Sequence, residues 1–210
     1  DMSLLEHAVR EDLNKTAPRV MGVLDPVKLT ILNYPEDQKE LLEGEINPEM
    51  SELGKRSLPF SRNLYIERED FKETANRKFF RLTLNKEVRL KNAYIIKGES
   101  VTKDANGNIT EIFCTYDPKS KSGSGTEASQ RKVKGTLHWV TQNDSLEVQV
   151  RLYDRLFNVP APDNNKEVDF KNFINPNSLK TINAYVEPGL ISANHGEHFQ
   201  FQRLGYFVLD

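Results

Sequence analysis

Residues 76–94 read NRKFFRLTLNKEVRLKNAY. Apolar and polar side chains alternate here with the period of two that a half-buried strand requires, which predicts strands over 79–84 and 87–90 separated by Asn85-Lys86. Between 77 and 91 stand Arg77, Lys78, Arg81, Lys86, Arg89 and Lys91 against one acid, Glu87, a local charge of +5 in a chain whose net charge is −2. Basic side chains on strands, with Phe79 and Phe80 among them, suit a single-stranded RNA loop. Arginine forks bond to base edges and phosphates, and rings stack on splayed bases. A solvated outer strand face accounts for the same residues equally simply.

Outward from this stretch, strand signals dominate. Segments 27–31, 64–66, 93–97, 109–115, 133–140, 146–152, 181–186 and 199–209 carry them. Asn106-Gly107-Asn108 marks a tight hairpin, because Asn-Gly tolerates positive φ. The opening SLLEHAVREDLN reads as the end of a helix that Pro18 closes. REDFKETAN (68–76) and KEVDFKNFIN (166–175) read as two short helical insertions. The Ser/Gly-rich 118–130 reads as a flexible loop, and it lacks the Gly-Lys-Ser ending of a phosphate-cradling loop. Many short strands punctuated by turns predict a mainly β fold, and 210 residues are enough for two β-barrels.

Composition excludes several classes. Hydrophobic residues make up 37% of the chain, with no apolar run near the ~20 residues of a membrane span and no secretory signal. Cys114 is the single cysteine, so no intrachain disulfide is possible and a reducing, cytoplasmic setting is expected. The start, DMSLLEH, reads as the beginning of a cut fragment. Residues 36–52 hold seven acids against Lys39 alone, as expected of an exposed hairpin or loop. His138 beside Trp139, and His195 with His198, are the histidines that could carry chemistry. No nucleophile elbow, dinucleotide glycine pattern or third metal ligand accompanies them, so no catalytic residue and no metal site are expected. What remains is basic and polar: Arg19 just after Pro18, Arg81 and Arg89 flanking a turn, and Gln200 in HFQFQRLGYF, whose amide suits a pyrimidine edge.

Ten strings then stand in one order along nearly the whole chain. They are REDLN (10–14), APRVMGVLDPVKL (17–29), LPFS (58–61), IEREDF (66–71), NRKFFRLTLNKEVRLKNAYIIK (76–97), GNITEIFCTYD (107–117), RKVKGTLHWV (131–140), VRLYDRLFNVPAP (150–162), INPNSL (174–179) and FQFQRLGYFVLD (199–210). In these the chain resembles the C-terminal anticodon-binding region of the glutaminyl-tRNA synthetases, a family of class I aminoacyl-tRNA synthetases. RKVKGTLHWV and VRLYDRLF are the most specific.

The resemblance implies two β-barrels of the kind also found in a ribosomal protein that binds 5S RNA. It places the end of a helical subdomain at 1–20, a proximal barrel over 21–105 with 185–210, and a distal barrel over 106–184. It assigns Arg19 and Gln200 to the central uridine of the anticodon, Arg81 to the third base, a guanosine, and Arg89 to the variable first base. Asn14, Lys78 and Lys91 belong to the same anticodon set, and Arg131, Lys132 and Lys134 suit phosphates. The implied partner is the glutamine tRNA, with no DNA, no membrane and a monomeric state. The implied parent is an ATP-dependent glutamine–tRNA ligase. ATP and Mg would serve its N-terminal catalytic domain, leaving this region without a cofactor and inactive by itself.

Departures from the family pattern fall at Phe80, Lys78 and Lys91, and in NPEMSELGKR (47–56); the chain also stops at Asp210, before the family's last strand. Two other readings fit the residues: a stand-alone or glutamyl-type RNA-binding barrel without ligase activity, and a barrel hydrolase using His138 or His195.

Overall fold

The computed structural model describes residues 2–164 and 166–210. The fold is mainly β with a short N-terminal helix. Helix α1 (Met2–Thr16) ends where Pro18 offers no N–H to continue it, and the Ala17 N–H is still bonded to the Leu13 carbonyl at 2.9 Å. The strands are β1 (Arg19–Val20), β2 (Gly22–Val23), β3 (Pro26–Ile31), β4 (Glu40–Glu45), β5 (Lys55–Phe60), β6 (Asn63–Glu67), β7 (Glu87–Leu90), β8 (Ile95–Lys103) and β9 (Ile109–Tyr116). They continue with β10 (Thr136–Leu137), β11 (Val140–Thr141), β12 (Leu146–Tyr153), β13 (Leu179–Val186), β14 (His198–Phe201) and β15 (Gly205–Val208). A single helical turn, α2 (Glu127–Gln130), precedes β10.

Seven strands form one sheet in the order β10-β7-β8-β9-β3-β6-β11. Its interior is the main core. Phe60 meets the Trp139 ring edge-on at 5.1 Å, and Tyr34 and Tyr94 pack on Phe60 at 5.3 and 5.4 Å. Such ring pairs add roughly 0.5–1.5 kcal/mol each beyond their burial. The buried tyrosine hydroxyls both donate to Glu40 Oε1, at 3.0 Å from Tyr34 and 2.6 Å from Tyr94. Burial, reinforced by the Glu40 charge, pushes both phenols far above their ordinary pKa. A second, smaller core gathers Val20, Val186 and Phe201 between two three-stranded sheets, β12-β13-β2 and β1-β14-β15.

The predicted Asn-Gly hairpin joins β8 to β9. Gly107 sits at φ 84°, and the Asp104 carboxylate accepts from the Asn106 and Asn108 N–H groups at 2.9 and 2.8 Å. The boundary expected at 105/106 falls in this turn. Both strands of the hairpin, and β10 and β11 beyond it, belong to the seven-stranded sheet, so ladder pairing carries that sheet without a break as far as Thr141.

Several expected elements take other forms. The strand expected over 79–84 is a loop with isolated bridges, Phe71 to Leu82 and Leu84 to Gly98. Asn85 at φ 61° turns the chain away before a ladder can form. The helix expected over 68–76 shrinks to one 3-10 turn, Arg68–Asp70, because the Asp70 carbonyl accepts from the Leu82 N–H at 3.0 Å and holds the chain against that loop. The helix expected over 166–175 is a 3-10 turn, Phe170–Phe173. The strand expected over 133–140 breaks into β10 and β11, and that over 199–209 is a hairpin turning at Arg203. The acidic 36–52 does contain a hairpin strand, β4, paired with β5.

Candidate nucleic-acid interface

The site begins with a parallel pairing of two very short strands. β1 and β14 run side by side in the register Arg19 to Gln200. Gln200 N–H donates to the Pro18 carbonyl and Gln202 N–H to the Val20 carbonyl, both at 2.9 Å, while Arg19 N–H donates to the Ile46 carbonyl at 2.7 Å. Residues from the two ends of the chain thereby become neighbours. They line a cavity of about 300 Å³ together with Lys91, His138, Gln202 and Arg203. That volume lies at the small end of ligand pockets, which span roughly 300–1,000 Å³.

The donors and acceptors around Arg19 are organised. Asn14 Oδ1 accepts from Arg19 Nη2 at 3.4 Å and from the Tyr206 hydroxyl at 3.2 Å, and that hydroxyl accepts from Gln200 Nε2 at 3.3 Å. Glu49 Oε1 accepts from Arg19 Nη2 at 2.9 Å and from Asn14 Nδ2 at 3.2 Å. Arg19 Nε is buried and finds no acceptor in the protein. An unmet buried donor carries a desolvation penalty that an acceptor on a bound molecule would relieve.

Arg203, which lines this cavity, meets Arg81 at Asp70, which is fully buried. Arg203 takes both carboxylate oxygens, Nη2 to Oδ1 at 2.6 Å and Nη1 to Oδ2 at 2.7 Å. Arg81 Nε shares Oδ1 at 3.2 Å, and its Nη1 donates to Glu69 Oε1 at 2.9 Å. Arg203 Nη1 also lies 3.3 Å from His138 Nδ1. A guanidinium only donates, so Nδ1 accepts, and His138 Nε2–H points to Glu67 Oε1 at 3.4 Å. Burial would raise the Glu67 pKa, but His138 and the Leu24 and Asp25 N–H groups outweigh it and hold the carboxyl below its ordinary value. The hydrogen bonds to Asp70 raise Arg203 above the usual arginine range, so its charge is secure. Arg203 also sits at φ 71°, a left-handed backbone that costs a non-glycine residue of order 1–3 kcal/mol. The Asp70 fork offsets that strain.

The remaining basic residues divide in two. Arg89 is turned inward: Nη1 donates to the Ser120 carbonyl and Ser122 Oγ at 3.0 and 3.1 Å, and Nη2 to the Ser129 carbonyl at 2.8 Å. Burial, with Arg131 close by, lowers its pKa. The expected flexible loop is therefore pinned, into the 3-10 turn Pro118–Ser120 and α2, with Lys121 bonded to Glu40 Oε2 at 2.8 Å. Arg131 is engaged by Glu87 and, at 3.1 Å, by Asp117. Lys78, Lys132 and Lys134 are exposed. Lys134 Nζ stands 5.4 Å from the centre of the exposed Phe80 ring. Gly135 permits this approach, since at φ 105° a Cβ there would sit 2.1 Å from the Phe80 carbonyl oxygen.

Sequence reasoning brought Arg19, Gln200, Lys91 and Asn14 to this place, and missed Arg203, Asp70, Tyr206 and Glu49. Arg203 lay in the quoted FQFQRLGYF, but an unbroken strand hid its turn. Asp70 lay in an expected helix, where a buried carboxylate has no signal. Among the described residues, no group of three or more His, Cys, Asp or Glu side chains is placed to hold a metal.

Cationic and amide side chains converge on one groove of a mainly β fold, an arrangement of the kind that suits unstacked nucleic-acid strands. Comparison with known proteins makes the assignment specific. Family models described as tRNA synthetases class I (E and Q), anti-codon binding domain, match residues 17–117 and 136–210. The chain belongs to this family. It is 53% identical over its whole length to a glutamine–tRNA ligase of Rhodopirellula baltica, and 50% and 51% identical to those of Citrobacter koseri and Salmonella newport. It spans 35% of the first of these proteins and 37% of the other two, about a third of each.

Proposed function

We propose that this chain recognises the anticodon loop of the glutamine tRNA on behalf of an ATP-dependent glutamine–tRNA ligase. The observation that carries the reading is the convergence of Arg19, Gln200, Lys91 and Arg203 on one cavity. A uridine edge offers two carbonyl acceptors and an N–H between them. Arg19 and Arg203 supply donors for the first, and the Gln200 amide can accept from the second while donating beside it. Arg81 fits a guanosine, whose O6 and N7 match an arginine fork with discrimination of ~1–3 kcal/mol. Lys78, Lys132 and Lys134 hold phosphates. Arg89 serves the first base through the 118–131 segment that it positions. ATP and Mg act in the rest of such a ligase, and the chain itself carries out no chemistry; it works as a monomer in the cytoplasm. Titrating the chain with anticodon stem-loops of glutamine and glutamate tRNA tests this. Preference for the glutamine loop is expected, equal affinity rejects the reading, and aminoacylation by the purified chain would overturn the division of labour.

Two further outcomes are expected. Glu49 holds Arg19 with an exposed carboxylate, so it stands in for an RNA oxygen and must be displaced. Glu49→Gln should tighten stem-loop binding several-fold while changing stability by only about 0–1 kcal/mol. Weaker binding would show that Glu49 orients Arg19 instead of occupying it. Replacing Lys132 and Lys134 together by alanine should weaken binding to every loop sequence alike and reduce the slope of log affinity against log salt by roughly 1.4. A slope unchanged from the parent would remove both lysines from the phosphate contacts.

A further inference from the structure

We propose that Asp70 is a positioning residue that ties the reading of two different bases together. The proposal rests on the anticodon reading above and adds a relation between its parts. One buried carboxylate serves two arginines that face different places. Arg203 takes both oxygens and lines the cavity shared with Arg19 and Gln200. Arg81 shares Oδ1 through Nε and stands on the separate loop of residues 79–84. The group is closed on every side. His138 accepts from Arg203 Nη1, the nitrogen that also bonds Asp70 Oδ2, Glu67 accepts from His138, and Glu67 is itself fixed by the Leu24 and Asp25 N–H groups at 2.7 and 3.0 Å. Glu69 is the remaining acid on Arg81. Asp70, His138 and Glu67 are all buried, so none of them can exchange these partners for bulk water.

The sharing is unequal, and this gives the coupling a direction. While Arg203 satisfies both oxygens, Arg81 lends Asp70 only Nε, and the rest of its fork stays at the surface, where Nη1 is held by the exposed carboxylate of Glu69 that a base must displace. Without Arg203, a buried carboxylate is left with Arg81 as its ion-pair partner. Such a charge recruits whatever donors it can reach, so the Arg81 fork is drawn down and away from its base. Removing Arg81 leaves the Arg203 fork complete, and the cavity keeps its shape. Loss of the cavity arginine therefore damages recognition at a base that it does not touch. Arg19 lines the same cavity but has no bond to Asp70, so its loss stays local.

The test measures affinity of the chain for glutamine anticodon stem-loops with the parent sequence, with a substituted central base and with a substituted third base. Circular dichroism confirms folding of each variant. Arg19→Ala should lower discrimination at the central base only. Arg203→Ala should lower it at the central base and, by roughly five- to tenfold, at the third base as well. Asp70→Asn should lower both. Third-base discrimination that survives Arg203→Ala intact overturns the coupling while leaving anticodon recognition standing. A parent chain that distinguishes none of the loops overturns both proposals together. If Asp70→Asn does not fold, the contrast between Arg203→Ala and Arg19→Ala decides alone, because both variants keep the buried carboxylate.

Discussion

Trp139→Ala is expected to destabilise the chain by about 3–5 kcal/mol, a large part of the 5–15 kcal/mol that holds a typical domain together. Trp139 is 1% exposed, stands edge-on to Phe60 at 5.1 Å, and its Nε1–H donates to the Lys91 carbonyl at 2.9 Å. Truncation removes the largest buried side chain of the main core and opens a cavity beside Phe60, which is packed in turn against Tyr34 and Tyr94, the two tyrosines that Glu40 fixes. The Lys91 carbonyl loses its donor in the same step, and Lys91 lines the proposed RNA groove. Stem-loop affinity should therefore fall even under conditions where the variant is folded. The chain has a single tryptophan, so urea unfolding must be followed by circular dichroism. A midpoint close to that of the parent would mean that the aromatic cluster does not carry the core. Trp139→Phe, which keeps a ring but loses the donor, should lie between the two.

Glu187→Ala should cost a comparable 3–5 kcal/mol by a different mechanism, the abandonment of a buried charge. Glu187 is 4% exposed, accepts from Arg56 Nε at 2.7 Å and Nη2 at 2.9 Å, and takes the Met21 N–H at 2.6 Å. Its loss leaves the Arg56 guanidinium, 13% exposed, without an ion partner and the Met21 amide without an acceptor. The pair joins β5 to the end of β13, and so anchors the β4–β5 hairpin, next to Ile46 whose carbonyl holds Arg19. Replacing both partners by apolar residues, Arg56→Met with Glu187→Leu, should recover much of the loss, since neither charge is then stranded. If the single and double variants unfold at the same denaturant concentration, the ion pair is not the source of the stability.

The sequence revealed strands wherever apolar alternation met an unambiguous turn. The β8–β9 hairpin was legible because Asn106-Gly107 permits one geometry and the flanking residues alternate cleanly. Segment 79–84 alternates equally well, yet Asn85 and the bridge to Gly98 divert it, and alternation carries no information about which neighbour offers a ladder. Arg19 and Gln200 were legible as candidates because they stand in specific strings. The resemblance paired them at one base, but periodicity and spacing alone did not, because their adjacency depends on a two-residue parallel pairing between distant segments. Arg89 shows the opposite limit: its place in the string was clear, but the string could not show that its fork is spent on the backbone of residues 120–131. Asp70 had no signature at all, since a buried acid looks like a surface one until its partners are placed around it.

The link between Asn14 and Tyr206 bridges 192 positions of the polypeptide. The seven-stranded sheet is complete by Thr141, so a nascent molecule can assemble it while residues 142–210 are still being synthesised. The groove cannot be assembled then, because β14 and β15, which carry Gln200 and Tyr206, are made later. Loop closure over such a span is slow relative to local hairpin formation. During translation the seven-stranded sheet should therefore form at a stage when the proposed RNA groove is still open, and engagement with RNA should begin only when the β14–β15 hairpin docks.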